Sequence, residues 1–251
     1  QGHDDLLRVV ERCHCTSFDA RHAAPRCPQW QLQMSTYLDI ERWSRRDAFA
    51  YFRDFDKPYF NVCVRLDVAR LKTALPAAGG GGLATACYFI ALRLANIHES
   101  FRLRLESGRV RVHDEVHGST TVLRADGESF YFANFDHTLD YASFALRAGA
   151  AIQTARTLHT RFDAGWDDHA RIHFTTLPWL HFSSFSHARN WGVEDSIPKI
   201  AFGRADRDGE HLWMPMSVEV HHALMDGLHV GRYVQDFEGA LREPRDWLGI
   251  G

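Results

Sequence analysis

The stretch that decides the fold is His221-His222-Ala223-Leu224-Met225-Asp226-Gly227, a His-His-x-x-x-Asp-Gly run that joins a strand pattern to a helix pattern. Before it, apolar side chains alternate with other residues over 212–220, which is typical of a strand with one buried face. After it, apolar residues recur at helical spacing over 230–241, and Asp226 is placed to cap that helix. We therefore expect a tight strand-to-helix junction at this run.

A histidine at such a junction has the chemistry of a general base. The imidazole of His222 can take a proton from a hydroxyl or thiol while that group attacks an acyl carbon. Asp226 can organise the turn, and Gly227 permits close backbone approach. Two other interpretations stay open: the run merely ends a strand and caps a helix, or His221, His222 and His229 bind a metal ion.

The rest of the chain predicts strands and helices in mixed order. Apolar patterns predict strands near 61–67, 129–135, 179–185, 199–204 and 212–220, and helices near 39–52, 83–96, 139–159 and 227–241. Residues 101–105 and 110–112 alternate around Ser107-Gly108, which predicts a hairpin whose arginines face water. Since hairpins argue against a purely parallel sheet, we expect an α/β two-layer sandwich with a mixed β-sheet.

Length and composition bound the organisation. The 251 residues, 45% of them hydrophobic, suit one sizeable core. We expect a single domain over 34–251. Residues 1–33 are expected to be an amino-terminal extension that is non-native or results from a misassigned start, since Met34 would make an ordinary translation start. The net charge is -3 and there is no run of Lys and Arg, so the sequence lacks the basic pattern that would bind nucleic acid or an anionic membrane. With neither a membrane-length apolar stretch nor a signal-peptide pattern, we expect a cytoplasmic protein with no nucleic-acid or membrane partner.

The five cysteines do not predict a disulfide framework. Soft zinc ligands do occur in the first segment, but their spacing matches no structural zinc pattern with paired Cys-x-x-Cys arms. These ligands are Cys13, His14, Cys15, His22 and Cys27. We therefore expect no metal.

Three separate stretches resemble a known family. The run from His221 to Arg232 resembles the active-site segment of the type A chloramphenicol acetyltransferases. Leu38–Phe49 is similar to the family's amino-terminal Trp-x-Arg stretch, and Pro178–Phe185 resembles its Pro-Trp-x-x-Phe-x-Ser-Phe stretch. The similarity is collinear from residue 37 to about 243. It implies the fold of this family of CoA-dependent acyltransferases.

The resemblance also implies catalytic roles. It makes His222 the general base that deprotonates an acceptor hydroxyl for direct attack on the thioester of acetyl-CoA. Asp226 would pair with Arg45 and hold the loop that carries His222. Ser184 would donate a hydrogen bond to the oxyanion of the tetrahedral intermediate.

Binding residues follow from the same resemblance. Arg204 lies where a family Lys often meets the CoA phosphate, and Phe52 and Phe60 lie in the region that lines the acceptor pocket. Ala201 and Ala205 depart from the family, which usually has Thr and often Tyr there. The family Thr at the position of Ala201 helps to position the intermediate through water, so we expect one polar support to be missing. The family Tyr at the position of Ala205 stacks near the adenine, so we expect a weaker hold on CoA.

The implied assembly is a homotrimer with each active site at a subunit interface. The implied co-substrate is acetyl-CoA without a metal, and the acceptor is a small hydroxylated molecule, chloramphenicol in the first place, so antibiotic resistance is the expected role. Two alternatives remain. One is a catalytically inactive trimeric relative that binds a small molecule. The other is the catalytic domain of a dihydrolipoamide acyltransferase, which carries a related Asp-His-x-x-x-Asp-Gly run.

Overall fold

The fold is given by a computed structural model that describes residues 36–158, 169–189 and 194–251. The strands are β1 Thr36–Tyr37, β2 Tyr59–Asp67, β3 Leu103–Glu106, β4 Arg109–Val112, β5 His117–Leu123, β6 Phe130–Phe135, β7 Arg171–Thr176, β8 Lys199–Phe202, β9 Asp206–Asp208 and β10 His211–His221. The α-helices are α1 Arg46–Phe52, α2 Ala69–Ala74, α3 Leu83–Ile97, α4 Tyr141–Thr157, α5 Gly227–Arg242 and α6 Pro244–Leu248. Short 3-10 turns lie at Ile40–Arg42, Leu75–Ala78 and Glu99–Arg102.

The main sheet is mixed. Its strand order is β2-β10-β8-β7-β5-β6, with β9 paired to β10. The strand β10 is antiparallel to both β2 and β8, whereas β7 is parallel to both β8 and β5. A small antiparallel sheet has the order β1-β4-β3. The predicted mixed sheet is therefore confirmed.

Helices α3, α4 and α5 cover one face of the main sheet. Alternate residues of β10 enter the main apolar core with α3 and α5; they are Met214, Met216, Val218 and Val220. The intervening residues Ser217, Glu219 and His221 are also buried but lie on the other face. On the helical face α4 packs on β5 and β6 through Ala155, Val122 and Tyr131. The structure confirms the predicted two-layer α/β sandwich.

One predicted strand is absent. Residues 177–189 run irregularly, so the strand expected at 179–185 was wrong. The Leu180 carbonyl accepts a hydrogen bond from the Arg204 amide at 2.7 Å, and the Phe182 ring lies against Gly203. The apolar alternation therefore reflects packing of this segment across the sheet, without strand pairing.

The hairpin prediction was correct for the backbone and wrong for one arginine. The strands β3 and β4 pair around Ser107-Gly108, but Arg104 is fully buried. Its guanidinium donates hydrogen bonds of 2.7–2.9 Å to the carbonyls of Phe101, Leu103, His169 and Arg171. A buried arginine is tolerated here because backbone carbonyls converge on its planar group.

The helix expected over 39–52 is divided into the 3-10 turn and α1, with Arg45 at the boundary. The interpretation of residues 1–33 and the zinc-ligand group at Cys13, His14, Cys15, His22 and Cys27 lie outside the described residues. Within the described part, no cluster of three or more His, Cys, Asp or Glu could hold a metal ion. No single described helix is long and apolar enough to cross a membrane; Ala69–Ala78 and Leu83–Ile97 reach that length only jointly, across a 97° bend.

Candidate active site

His222 stands directly after β10 and is fixed through its backbone and its ring. Its amide donates to the Pro58 carbonyl at 2.6 Å, which extends the pairing of β10 with β2 by one step. Its imidazole stacks on the Phe52 ring with centroids 3.9 Å apart and planes 10° apart. The Phe60 ring approaches at 4.8 Å. The two candidate acceptor-pocket phenylalanines thus contact the candidate base.

The two nitrogens of the His222 ring differ. Among the described residues, Nδ1 is buried and has no hydrogen-bond partner. Nε2 is therefore the nitrogen that can meet a substrate. A flat apolar contact on one side leaves the ring little rotational freedom, so Nε2 has a defined direction.

Arg45 ties the loop after His222 to the segment before α1. Its Nη1 donates to the Asp226 carboxylate, and its Nη2 donates to the His222 carbonyl oxygen at 3.1 Å. The guanidinium also lies over the Trp43 ring at 5.9 Å. A single planar cation therefore holds both ends of the His222–Asp226 turn.

Asp226 has a second role as the cap of α5. Its Oδ1 accepts from the Leu228 amide at 3.1 Å and lies 2.8 Å from His229 Nδ1. Partial burial acts to raise the pKa of Asp226, but the His229 hydrogen bond and the Arg45 charge outweigh it and lower the pKa. The carboxylate therefore stays ionised and keeps both partners at neutral pH.

The neighbouring histidine cannot share a ligand with His222. His221 belongs to β10 and points to the opposite side, where Tyr59 packs edge-on against its ring at 5.2 Å. Burial lowers the pKa of His221 to about 4, aided by the charge of Arg189. Since His229 is engaged by Asp226, the structure does not gather the three histidines of the metal-binding interpretation.

The remaining predicted residues lie elsewhere. Ser184 is exposed in the irregular segment, and its side chain makes no hydrogen bond to any described residue. Arg204 is also exposed; it forms a two-point pair with Asp206 at 2.7 and 3.1 Å and donates to the Trp179 carbonyl at 3.1 Å. Neither side chain contacts the group around His222.

A cleft opens where two parallel strands separate. Pairing between β5 and β7 ends at Thr120 and Phe174, although both strands continue on their other edges. On the helical side this split leads into a cavity of about 740 Å³, walled by α3, α4 and the Pro178-Trp179 turn. A cavity of that volume can hold an extended part of a large ligand.

A second, smaller cavity of about 210 Å³ lies on the other face of the same split. Thr175 borders both cavities, and its hydroxyl has no hydrogen-bond partner among the described residues. Ala201 is its neighbour on β8. Sequence patterns did not single out Thr175, whose local signal is its place two residues before the Leu177-Pro178-Trp179 stretch.

The Thr175 split lies far from His222 within one chain. Thr175 pairs with Ala201, and Ala201 pairs with Ser217, so Thr175 lies two strands away at the level of Ser217. His222 lies five residues further along β10. With about 3.3 Å per residue and about 4.8 Å between strands, the two backbones are roughly 20 Å apart.

The chain is similar in sequence to chloramphenicol acetyltransferases. A family model described as chloramphenicol acetyltransferase matches residues 34–238. Chloramphenicol acetyltransferase 2 of Escherichia coli is 28% identical over 205 residues, which is 81% of this chain and 95% of the relative. Chloramphenicol acetyltransferase of Campylobacter coli is 26% identical over 209 residues, 83% of this chain and 99% of the relative.

Two solved structures share the fold. One is a chloramphenicol acetyltransferase with a TM-score of 0.74 and 24% identity, covering 83% of this chain and 100% of the other. The second is the cubic core of the pyruvate dehydrogenase multienzyme complex, with a TM-score of 0.61 and 16% identity, covering 76% and 84%.

Proposed function

This chain belongs to the chloramphenicol acetyltransferase family and is an acetyltransferase, and we propose that it moves the acetyl group of acetyl-CoA to a hydroxyl of chloramphenicol. The observation that carries the proposal is the His222 site. The ring is stacked on Phe52, and its loop is held by Arg45 and Asp226. An imidazole fixed in this way is suited to direct proton abstraction.

In the proposed reaction His222 Nε2 takes the proton of the acceptor hydroxyl as its oxygen attacks the thioester carbonyl. A tetrahedral intermediate forms and carries the negative charge on the former carbonyl oxygen. Its collapse breaks the carbon–sulfur bond, and the CoA thiolate leaves with the proton from the imidazolium. The products are the acetyl ester, free CoA and the neutral base.

The oxyanion needs a donor, and two hydroxyls are candidates. Ser184 is proposed on the sequence resemblance, but it is exposed and lies in an irregular segment. Thr175 borders the cavities on both faces of the sheet, so its hydroxyl could meet a thioester that passes through the split. We favour Thr175, because a donor on a strand is held more firmly than one on a loop.

The large cleft is the proposed donor site. Its inner end is lined by the hydroxyls at the β5–β7 split, and Trp179 offers an aromatic surface at its rim. Arg156 is the one Lys or Arg among the described lining residues and has no ion-pair partner there. Arg204, the proposed phosphate contact, lies beside Trp179 but is paired with Asp206, so CoA must compete for it.

A homotrimer with interface sites is part of the proposal. The separation of roughly 20 Å between Thr175 and His222 supports it, since one chain cannot bring the two groups to one intermediate. A cytoplasmic location is proposed as well. It is supported by the described cysteines, Cys63 and Cys87, which are free thiols.

Release of the CoA thiol in the presence of acetyl-CoA and chloramphenicol tests the function. We expect acceptor-dependent release that is lost in His222→Ala. His211→Ala, which removes an exposed histidine at the other end of β10, is the matched control and should retain the rate. Chloramphenicol resistance of an expressing strain would provide an independent readout. A wild-type protein without thiol release would refute the proposal.

The two alternatives from the sequence are not favoured. A catalytically inactive binding relative has no use for an ordered base with a fixed ring. The family that matches residues 34–238 is the chloramphenicol acetyltransferase family, and the likeness to the pyruvate dehydrogenase core concerns the fold alone.

A further inference from the structure

Tyr88 joins the two strands at the split that forms the proposed donor passage. It belongs to α3, and its hydroxyl lies 3.1 Å from Thr120 Oγ1 on β5 and 2.5 Å from Thr176 Oγ1 on β7. Those two threonines are close to the last point at which β5 and β7 pair. A side chain from another element therefore bridges the strands where their backbone pairing stops.

The surroundings of Tyr88 are apolar and rigid. The side chain is 3% exposed, and its ring packs at 4.9 Å from Phe174 and 5.6 Å from Phe135. In such a core an unpaired hydroxyl costs about 1–3 kcal/mol. Three hydroxyls that satisfy one another in this position are therefore held in a narrow range of distances.

The bridge lies directly behind Thr175. Thr176 points to the helical face and reaches Tyr88, whereas Thr175 points to the opposite face and borders both cavities. A change in the separation of β5 and β7 at Thr176 would thus move the Thr175 hydroxyl. Tyr88 itself also lines the larger cavity.

We propose that Tyr88 is a positioning residue for acyl transfer: by bridging Thr120 and Thr176 it sets the width of the β5–β7 split and the place of Thr175 within it. The inference rests on the proposed function. It assigns no contact between Tyr88 and the reacting atoms. Its effect is on the geometry in which the thioester meets Thr175.

The test compares two buried tyrosines of the same core. Tyr88→Phe removes the bridging hydroxyl, and Tyr233→Phe removes a hydroxyl that donates to the Ala91 carbonyl at 3.0 Å. Tyr233 is likewise fully buried but does not line the split. Both variants should lose similar thermal stability, so the melting temperature serves as the common measure of the structural cost.

Kinetics then separate positioning from stability. In Tyr88→Phe we expect kcat with acetyl-CoA to fall at least tenfold, since a displacement of about 1 Å at a reacting group can cost about a hundredfold. The KM for chloramphenicol should change by less than about twofold, because Tyr88 is buried behind the strand that carries Thr175 and adds no side chain to the pocket around Phe52 and Phe60. Tyr233→Phe should keep the wild-type kcat.

Variants of the partner residue complete the design. Thr176→Val removes the hydroxyl at nearly constant shape and should reproduce the loss of kcat in Tyr88→Phe, while Thr176→Ser should restore it. The double variant Tyr88→Phe/Thr176→Val should be no slower than either single variant, because the two substitutions break the same bridge.

The outcomes distinguish two failures. An active wild type in which Tyr88→Phe and Tyr233→Phe have the same kcat would overturn the positioning role alone. An inactive wild type would refute the proposed function, and the role of Tyr88 would fall with it.

Discussion

Removing the Arg45 side chain should lower both the free energy of unfolding and the kcat of the protein. Arg45→Ala deletes one bond to the Asp226 carboxylate and one to the His222 carbonyl oxygen. Hydrogen bonds to charged groups contribute about 1.5–3 kcal/mol each. The Asp226 side chain is 36% exposed, however, so solvent screening reduces its bond to about 1 kcal/mol.

The sum is a loss of about 2.5–4 kcal/mol in the free energy of unfolding, or roughly 5–15 °C in melting temperature for a domain of this size. The value of kcat should also fall, by about a hundredfold, because the His222 loop loses its anchor. Arg45→Lys should be intermediate, since an ammonium can reach one of the two acceptors but lacks the planar fork.

Thermal unfolding and thiol release at 25 °C measure the two quantities on the same protein. The matched control is Arg46→Ala, whose side chain is 51% exposed and pairs with Asp47, itself 92% exposed. This control should change the free energy of unfolding by less than about 0.5 kcal/mol. An Arg45→Ala protein that melts earlier but keeps the wild-type kcat would refute the reasoning that Arg45 positions His222.

Three further expectations concern other parts of the chain. In the thiol-release assay, Thr175→Val should lower kcat about a hundredfold or more, whereas Ser184→Ala should have little effect. The opposite ranking would indicate that Ser184, not Thr175, donates to the oxyanion. In urea denaturation, Arg104→Lys should lower the free energy of unfolding by about 3 kcal/mol, because backbone carbonyls lose their hydrogen-bond donors. Arg109→Lys, at an exposed position of the same hairpin, should leave the free energy of unfolding unchanged. Burial lowers the pKa of His221 to about 4, so between about pH 6.5 and 4 the unfolded chain binds more protons at this residue. His221 should therefore lower the free energy of unfolding by about 1.4 kcal/mol per pH unit as the pH falls, and His221→Asn should reduce the slope of pH-dependent denaturation by that amount; buried His173, whose pKa is lowered to about 3, keeps its own contribution.

The strand-to-helix junction at His222 was predictable because its determinants are local. Alternation on β10, an N-cap at Asp226 and helical spacing on α5 all lie within one continuous stretch. The contact of Asp226 with Arg45 joins residues far apart in sequence, and only the family resemblance suggested it. Pattern alone would have left Arg45 on a solvated helix face.

The errors share a physical cause, which is that long-range packing decides them. The alternation of 179–185 resembles a strand, but the segment packs against Gly203 and pairs with no strand. The hairpin pattern predicts that Arg104 faces solvent, but in the fold its guanidinium is buried and donates to the carbonyls of Phe101 and His169. Thr175 is unremarkable in sequence, because its position follows from where two distant strands stop pairing.

The same long-range geometry has a consequence for assembly. His222 and Thr175 lie roughly 20 Å apart in one chain, so a common intermediate requires them from different subunits. In a homotrimer each interface would then combine His222 of one subunit with Thr175 of its neighbour.

Subunits that carry His222→Ala should therefore complement subunits that carry Thr175→Val, although each variant is nearly inactive alone. Any trimer containing both kinds of subunit has one interface at which both groups are intact, so about a third of the wild-type rate should return. Co-expression with two different tags, tandem purification and thiol release would measure it. If both groups acted within a single chain, every chain in the mixed trimers would lack one of them, and the rate would stay at the level of the separate variants.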